Sequence, residues 1–268
     1  MDFADKKIGF IGGGAMAEAL VKSFIKSVPK NNIFVSDHKD ERCKELSKKY
    51  GVNASVRAND FLGEVDVVIF AIKPKDAVSA MQSAVDMVND GTLIISIVAG
   101  LTLAKIEEIF SENPVVRIMP NVCQSVGEGM AAYSLGKNAK KNAGELTENL
   151  WSMGGKIVCV KENLMDAVTG LSGSAPAFVF LMLDALADGG VAAGLTRKDA
   201  RLMAAQTMLG AAKMALETEK HPGELRDQVT SPAGTTITGV RVLEKAGFRS
   251  AVIEAVVAAA EKSKELGK

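Results

Sequence analysis

The chain contains 268 residues, of which 47% are hydrophobic and 24% are charged, a composition typical of folded globular proteins. Its 32 Lys and Arg residues are matched by 32 Asp and Glu residues, so the formal net charge is zero. Without a bulk positive field, a nucleic acid or an anionic membrane surface is not an expected partner.

The longest nearly uncharged apolar stretch near the middle of the chain, 92–104, is shorter than the roughly 20 residues that cross a bilayer. Acidic residues precede the first basic pair, and a predicted strand follows directly, so no signal peptide is expected. The three cysteines form no C-x-x-C pair, and only two histidines are present, which disfavours a disulfide framework or a metal site. We therefore expect a cytoplasmic protein with no transmembrane segment and no metal.

The first 160 residues alternate short β-branched runs with amphipathic helical stretches, the pattern of βαβ units. Strands are predicted at 7–11, 33–36, 65–72, 92–98, 115–118 and 156–160. Helices are predicted at 15–27, 39–50, 75–88, 102–110 and 140–153. Several of the strands are apolar throughout, as expected of strands that are covered on both faces. The pattern predicts a doubly wound, mostly parallel sheet in an α/β domain of residues 1–161.

The loop after the first predicted strand reads Gly-Gly-Gly-Ala-Met-Ala, a G-x-G-x-x-A pattern that opens the first helix. Gly12 is expected to make the tight turn, Gly14 to let the backbone approach a pyrophosphate, and Ala17 to allow close packing of the helix. The helix N-terminus then faces the phosphates, so Ala15 and Met16 join these three as predicted cofactor contacts. The domain is therefore predicted to be of the Rossmann type and to bind a dinucleotide.

The end of the second predicted strand carries conflicting signals about which dinucleotide binds. Asp37 could accept a hydrogen bond from a free 2′-hydroxyl, whereas Ser36, Lys39 and Arg42 could hold a 2′-phosphate. Lys39 and Arg42 are equally consistent with the solvated first turn of a surface helix. We expect NADPH as the cofactor and keep NADH open.

After residue 160 the strand signals stop, and 163–268 is rich in Ala, Leu, Met and Val at helical spacing. This predicts an all-α second domain of residues 162–268. Its segment 176–195 is apolar on nearly every side, with Asp184 and Asp188 as the only charges, and such a helix cannot face water in a small monomer. A helical homodimer interface would cover it, and the alternative is a central core helix.

A second helix start is predicted at Ser231 and Pro232, because Ser is a good N-cap and Pro suits the first helical position. The backbone N–H groups of residues 233–236 would then be free donors at the positive end of a helix dipole. A small carboxylate could dock there without an arginine. An ordinary capped helix is the alternative.

Five further motifs follow one another along the chain. They are AIKP at 71–74, RIMPN at 117–121, TGLSGSAPA at 169–177, HPGELRD at 221–227 and VTSPAGTT at 229–236. Together with the glycine loop they resemble the pyrroline-5-carboxylate reductase family over almost the whole chain. The Leu-Ser-Gly-Ser and Ser-Pro-x-Gly-Thr-Thr blocks are the specific part of this resemblance, because many dehydrogenases share the glycine loop.

The resemblance implies reduction of Δ1-pyrroline-5-carboxylate to L-proline, the last step of proline biosynthesis, by an NADPH- or NADH-dependent oxidoreductase. It also implies that the helical domain forms a homodimer and that dimers can assemble into a ring. Asn59, Lys73 and Ala99 would line the dinucleotide. Ala71 and Pro74 belong to the same group, because they follow a strand at the carboxyl edge of the sheet.

The resemblance also maps a substrate pocket onto Thr235 and Thr236, with Glu162 and Glu219 as further candidates, and it places residues 119–121 at the nicotinamide. A protonated cyclic imine is already electrophilic at carbon, so no metal is needed and the protein mainly orients and stabilises it. The Thr236 hydroxyl is expected to contact the ring nitrogen. An alcohol is too weak an acid to protonate it strongly, so Thr236 would orient or relay a proton, while either glutamate could offset the iminium charge.

The alternative enzyme is a β-hydroxyacid dehydrogenase, which shares the Rossmann-plus-helical plan and uses a helix lysine to take the alcohol proton. That class needs Asn four residues after the lysine, but Glu217 stands four residues after Lys213, and no Lys-x-x-Asn-Asn run occurs. The alternative outside enzymes is a non-catalytic dinucleotide sensor whose second domain only dimerises.

Overall fold

The computed structural model describes Phe3 and residues 5–267, which divide into two units. The first unit comprises the residues up to Ser174 and those from Ala258 onward, and the second comprises Ala175–Val257. Each is described separately below.

The division lies later in the chain than the predicted domain boundary between residues 161 and 162. Met165 is buried in the first unit, and the Ser263 hydroxyl donates to Asp166 Oδ1 over 2.7 Å, which ties the last helix to the same unit. Buried apolar side chains and polar contacts across 97 residues of sequence assign this segment, and neither is visible as a change in composition. The 1–161 and 162–268 division remains a sequence prediction.

The first unit is built on one eight-stranded sheet. Its strands are β1 (Ile8–Ile11), β2 (Ile33–Ser36), β3 (Asn53–Ser55), β4 (Val67–Phe70), β5 (Leu93–Ser96), β6 (Val115–Met119), β7 (Gly129–Leu135) and β8 (Gly155–Cys159). They lie in the order β3-β2-β1-β4-β5-β6-β7-β8, and all neighbouring pairs are parallel except β6 and β7. The predicted doubly wound, mostly parallel sheet is therefore confirmed.

The strand order reverses beside β1, whose neighbours are β2 and β4. Ile11, the last residue of β1, pairs with Ser36 on one side and with Phe70 on the other. The three strands therefore end level with one another. Such a switch point opens a crevice at the carboxyl edge of the sheet, where ligands of this fold class bind.

Helices cover both faces of the sheet. They are α1 (Ala15–Phe24), α2 (Asp40–Tyr50), α3 (Pro74–Ala84), α4 (Leu103–Ile109), α5 (Lys141–Ser152) and the short α6 (Met165–Val168). On one face Phe24 meets Trp151 edge to face with ring centroids 5.7 Å apart, and on the other Phe70 packs against Phe110 at the same distance. Aromatic pairs of this kind stabilise by about 1 kcal/mol beyond the burial of their area.

Two strands were not predicted from the sequence. β3 has three residues, two of them polar, and pairs only with β2 at the edge of the sheet. β7 begins with a glycine and contains two alanines, so it lacks the β-branched run that marked the other strands. Pairing supplies what the local sequence does not, because β3 is hydrogen-bonded to β2 and β7 lies between β6 and β8.

The second unit is helical throughout, which confirms the predicted all-α region. It contains α7 (Ala175–Ala192), α8 (Arg197–Thr218), α9 (Pro222–Gln228), α10 (Thr235–Lys245) and the first part of α11 (Phe248–Leu266), which ends in the first unit. Its buried apolar cluster consists of Ala187, Ala200 and Ala204.

The larger apolar side chains of α7 and α8 are mostly exposed. Leu181 is 74% exposed, and Phe180, Leu186, Leu202 and Leu216 are also open to solvent. Large apolar side chains exposed in this number are typical of helices that pack against a partner.

By length and composition alone, one helical stretch of the described residues could cross a membrane, Glu162–Ala192. The sequence prediction of no transmembrane segment rested on residues 92–104, which do not include it. The stretch carries Glu162, Asp166, Asp184 and Asp188, and charged side chains are costly in the hydrocarbon core of a bilayer. A helix whose apolar face is covered by a protein partner can have the same length and the same apolar composition.

Candidate functional site

The glycine loop between β1 and α1 is tightly packed at its start. Gly12 has a φ of +99° and donates its N–H to the Ser36 carbonyl over 2.7 Å. A Cβ atom at this position would lie 2.4 Å from the Ala71 carbonyl oxygen. Only glycine is compatible with both the backbone angle and the neighbouring strand end, as the predicted tight turn requires.

The loop is open at Gly14, which is exposed and forms the N-cap of α1. A Cβ atom built on Gly14 would meet no other atom within 4 Å, so a ligand can approach the backbone here. Ala17 is buried, Met16 is half-buried and Ala15 is exposed. The first N–H groups of a helix have no intrahelical acceptor, so this end of α1 fits the diphosphate of a dinucleotide.

Asp37, the residue after β2, holds the loop in place. Its Oδ2 accepts from the Gly13 N–H over 2.9 Å, and its Oδ1 accepts from the Lys39 N–H over 3.0 Å. Both carboxylate oxygens therefore already bind protein donors. These two hydrogen bonds account for an acidic residue at the end of β2, so binding of a ribose 2′-hydroxyl is not needed to explain it.

The three candidates for a 2′-phosphate have different surroundings. Arg42 is held by protein acceptors, with its Nε donating to the Gly13 carbonyl over 2.6 Å and its terminal nitrogens donating to Glu18 and Glu45. Ser36 is buried. The exposed Lys39 side chain forms no ion pair with any residue that the structure describes. Lys39 is therefore the cation at this strand end that remains free for a ligand.

The other predicted cofactor contacts follow the carboxyl ends of β4 and β5. Ala71 directly follows β4 and donates its N–H to the Ile11 carbonyl over 2.8 Å. Lys73 and Pro74 are exposed at the start of α3, and Ala99 is exposed beyond the end of β5. Asn59 is exposed in the 3₁₀ turn Ala58–Asp60.

A cavity of about 360 Å³ opens within the first unit at this edge. Pro74, Ala99 and Thr169 contribute to its wall, as do Ser263 and Leu266 from the end of α11. The predicted residues Pro74 and Ala99 therefore share one depression at the carboxyl edge of the sheet.

Asn121, which follows β6, supports the backbone rather than facing a ligand. Its Nδ2 donates to the Ser172 carbonyl over 3.0 Å, and its Oδ1 accepts from the Cys123 and Met130 N–H groups. Ser172 lies in the π-helical turn Thr169–Gly173, so Asn121 connects this turn to the end of β6. Asn121 is thus a structural member of the region that the sequence assigned to the nicotinamide.

Glu162 is engaged inside the first unit. Its Oε1 accepts from the Leu103 N–H at the start of α4 over 2.6 Å and from the Arg117 guanidinium over 2.9 Å. Arg117 is largely buried, with 11% of its side chain exposed. The carboxylate that was predicted to contact substrate therefore compensates a buried cation and caps a helix.

In the second unit, α10 starts three residues later than predicted. Ala233 adopts a left-handed conformation with a φ of +56°, which prevents a helix from running on from Ser231 and Pro232. The Gly234 N–H closes this turn on the Ser231 carbonyl over 3.2 Å, and Gly234 then forms the N-cap of the helix. The prediction that the Gly234 N–H is a free donor is therefore wrong.

Thr235 and Thr236 are the first two residues of α10, so their N–H groups point out of the helix without an intrahelical acceptor. Thr236 is half-buried and Thr235 is exposed. Glu219 ends α8 with a φ of +55° and is exposed. Among the residues that the structure describes, neither threonine hydroxyl nor the Glu219 carboxylate has a hydrogen-bond partner, so all three are available to a ligand.

Glu18 is a site residue that the sequence did not reveal. It lies in the first turn of α1, where its carboxylate binds Arg42, the Lys49 ammonium at 2.8 Å and the Tyr50 hydroxyl at 2.8 Å. Hydrogen bonds from Arg42 and Lys49 lower the pKa of Glu18 to about 2. An acidic residue beside a phosphate loop is a signal that the sequence does contain, because such a residue requires a compensating cation. The cations that pair with Glu18 lie 24 or more residues away, so the sequence does not identify them.

No group of three or more His, Cys, Asp or Glu side chains is arranged to hold a metal ion within Phe3 and residues 5–267.

Comparison with known families gives two matches along the chain. Residues 7–100 match a family model described as NADP oxidoreductase coenzyme F420-dependent. Residues 162–266 match a family model described as pyrroline-5-carboxylate reductase dimerisation, which covers α7 to α11 and the segment before them.

Curated relatives are similar over nearly the full length. A pyrroline-5-carboxylate reductase of Methanosarcina acetivorans is 47% identical over 267 residues, covering 98% of this chain and 99% of the relative. The Arabidopsis thaliana enzyme of the same name is 43% identical, with coverage of 97% and 95%.

Solved structures show the same fold. A Coxiella burnetii pyrroline-5-carboxylate reductase superimposes with a TM-score of 0.91 at 34% identity, covering 98% of this chain and 99% of that one. A Plasmodium falciparum pyrroline carboxylate reductase with NADP bound has a TM-score of 0.89 at 32% identity, covering 99% and 100%. The glycine loop, the helical second unit and these full-length similarities together establish that the chain belongs to the pyrroline-5-carboxylate reductase family.

Proposed function

We propose that this chain reduces Δ1-pyrroline-5-carboxylate to L-proline with NADPH as the hydride donor. The observation that carries the proposal is the identity of 39 to 47% over at least 97% of this chain with several relatives of that name. The match of residues 7–100 to an NADP oxidoreductase family and the NADP-bound relative of known structure support NADPH over NADH.

The cofactor contacts that we propose all lie in the first unit. The N–H groups at the start of α1 would hold the diphosphate where Gly14 leaves the backbone open. The Lys39 ammonium would pair with the 2′-phosphate, with Ser36 beside it at the end of β2. Bound NADPH supplies the hydride. The residues proposed to line the rest of the dinucleotide are Gly12, Ala15, Met16, Ala17, Asn59, Ala71, Lys73, Pro74 and Ala99.

The substrate contacts that we propose lie at the start of α10. The free N–H groups of Thr235 and Thr236 offer two donors at the positive end of a helix dipole, where they can bind the substrate carboxylate. The Thr236 hydroxyl, which has no protein partner among the described residues, would contact the ring nitrogen and relay its proton.

A carboxylate is also needed to offset the iminium charge. Glu219 is exposed and without a protein partner in the described part of the chain, whereas the Glu162 carboxylate already accepts from Arg117 and from the Leu103 N–H through its Oε1, so its charge is compensated by protein. We therefore assign charge compensation to Glu219 and propose that Glu162, which the sequence also predicted as a substrate contact, acts mainly on Arg117 and the start of α4.

We further propose that the chain is a cytoplasmic homodimer, with a ring of dimers as the larger assembly, and that neither nucleic acid nor membrane is a partner. The exposed apolar faces of α7 and α8 and the match to a dimerisation family support self-association. The zero net charge supports the absence of a polyanionic partner.

The assay mixes purified protein with NADPH and pyrroline-5-carboxylate, follows the loss of reduced nicotinamide absorbance, and identifies proline by chromatography. Parallel reactions contain NADH in place of NADPH, or 3-hydroxyisobutyrate with NADP. Stoichiometric proline formation supports the proposal. Turnover of the hydroxyacid alone, or dinucleotide binding without turnover, would overturn it.

A further inference from the structure

The peptide group of Gly13 is held from both sides. Its N–H donates to Asp37 Oδ2 over 2.9 Å, and its carbonyl accepts from Arg42 Nε over 2.6 Å. Gly13 lies between the tight turn at Gly12 and the open N-cap at Gly14. The two side chains therefore fix the orientation of the loop from outside it.

The Arg42 side chain is itself fixed. Each of its three guanidinium nitrogens donates to a protein acceptor: Nε to Gly13, one terminal nitrogen to Glu45 over 2.7 Å, and the other to Glu18. Only 20% of the side chain is exposed. Because guanidinium is a planar fork, three acceptors around it define its position in a way that one exposed ion pair does not.

Glu18 explains why a cation is needed here. A carboxylate in the first turn of α1 would repel a diphosphate that binds at that helix end. Arg42, Lys49 and Tyr50 all donate to the Glu18 carboxylate and so offset its charge and direct it toward α2. The network joins α1, α2 and the glycine loop into one unit.

Because of these contacts, Arg42 and Lys39 differ in how readily they can bind a ligand. Lys39 lies three residues earlier in the chain, at the N-cap of α2, where its side chain is exposed and forms no ion pair with any described residue. A 2′-phosphate can therefore recruit Lys39 without breaking any protein contact, but it would have to compete with Gly13, Glu18 and Glu45 for Arg42.

We propose that Arg42, held by Glu18, is a positioning residue for the diphosphate loop and contributes equally to binding NADPH and NADH. Lys39 distinguishes the two cofactors. This inference rests on the proposed dinucleotide function, and it assigns the two neighbouring cations of one helix to different tasks.

The test measures the dissociation constants of NADPH and NADH by nicotinamide fluorescence for wild type, Arg42→Met, Arg42→Lys and Lys39→Met. Arg42→Met should weaken both cofactors by the same factor, about 10-fold for a lost charge-assisted hydrogen bond. Arg42→Lys should also weaken both, because an ammonium keeps the charge but not the fork. Lys39→Met should weaken NADPH by about 5-fold and leave NADH unchanged.

Steady-state kinetics adds a second readout. Arg42→Met should raise the KM for either cofactor while kcat at saturation stays within about twofold of wild type, because hydride transfer does not involve the loop. If Arg42→Met does not fold, Arg42→Gln serves in its place, with the same equal loss for both cofactors.

Selective loss of NADPH in Arg42→Met, or full recovery of NADPH binding in Arg42→Lys, would overturn the inference in favour of a 2′-phosphate ligand. Unchanged affinities in all Arg42 variants would overturn it as well. A wild-type protein that binds neither dinucleotide would instead refute the proposed function, so the two failures are distinguishable.

Discussion

The two units of the molecule differ in how much of their apolar side-chain surface they bury themselves. In the first unit, buried aromatic and aliphatic residues form extended clusters on both faces of the sheet. In the second unit the buried apolar cluster amounts to three alanines, while leucines and a phenylalanine of α7 and α8 lie open to solvent. Burial of apolar surface is the main stabilising contribution to folding, so the first unit receives more of this contribution from its own side chains, and the proposed dimer would supply it to the second.

Several of the predicted site residues also differ between the two units in whether their side chains have protein partners. In the first unit Asp37, Arg42 and Glu162 are all engaged by protein donors or acceptors. In the second, the Thr236 hydroxyl and the Glu219 carboxylate have no hydrogen-bond partner within the described residues. A region whose polar groups are satisfied internally presents a preformed surface, whereas one with free donors and acceptors has them available for ligands.

The largest effect is expected at Leu181, the most exposed large side chain of α7, where a substitution tests whether the second unit needs a partner to cover its apolar face. Leu181→Asp places a charge on each copy at a face that we expect to be buried in the dimer, and should raise the dimer dissociation constant at least about 100-fold. Light scattering across a concentration series measures it. Val126→Asp is the control, because Val126 is 73% exposed in the first unit. A wild-type monomer at micromolar concentration would contradict the comparison.

Thr236→Ala tests the chemistry assigned to the second unit. The substitution keeps the backbone donor and removes the hydroxyl, so kcat should fall roughly 10- to 100-fold, by more than KM for the imine rises. Affinity for NADPH should not change. Thr238→Ala, which removes a hydroxyl bound to the Gly234 carbonyl, is the matched control and should retain kcat. Full kcat with weaker substrate binding would make Thr236 a carboxylate contact.

Glu162→Ala examines whether the first unit uses this carboxylate for structure. Removing it leaves the largely buried Arg117 unpaired, which should lower the free energy of unfolding by about 2 kcal/mol. The KM for the imine should stay within about twofold. Glu112→Ala, at an exposed position of the same unit, controls for loss of charge. A raised KM with unchanged denaturant midpoint would assign Glu162 to the substrate instead.

Gly14→Val sharpens the assignment of the diphosphate to the first unit. The backbone of Gly14 has a φ of −67°, and no atom lies within 4 Å of an added Cβ, so the fold should persist. Crowding of the loop should weaken NADPH by about 10-fold or more in a fluorescence titration. Gly91→Val, also in open space but at a different turn, should bind normally. Unchanged affinity of the folded Gly14 variant would remove the loop from the cofactor site.

The Glu18 network should give the first unit a pH-dependent stability. Because the folded pKa of Glu18 is about 2, below its usual 4.5, its contribution is present above about pH 4.5 and is lost as the pH falls through 2. Glu18→Gln should therefore lower the free energy of unfolding by about 1 kcal/mol at pH 7 and by progressively less toward pH 2. Glu41→Gln is the control, because Glu41 is an exposed acid of α2 that forms no ion pair with any described residue. A difference that does not depend on pH would contradict an ionic role.

Much of the first unit was predictable because its signals are local. Six of the eight strands, all five long helices and the glycine loop follow from short patterns of apolar, turn and capping residues. β3 and β7 were missed because neither contains the β-branched run that marks the other strands. The start of α10 was misplaced because the left-handed Ala233 has no sequence signal.

The sequence by itself determined the fold class, the dinucleotide loop and the family, because periodicity, glycine spacing and ordered motifs are properties of neighbouring residues. Only the tertiary structure decided what Asp37, Arg42 and Glu162 do, since each side chain binds a partner 24 to 59 residues away. A charged residue is available to a ligand only if the fold has not already given it a counter-charge or a hydrogen-bond partner. That depends on distances in space, which spacing along the chain does not encode.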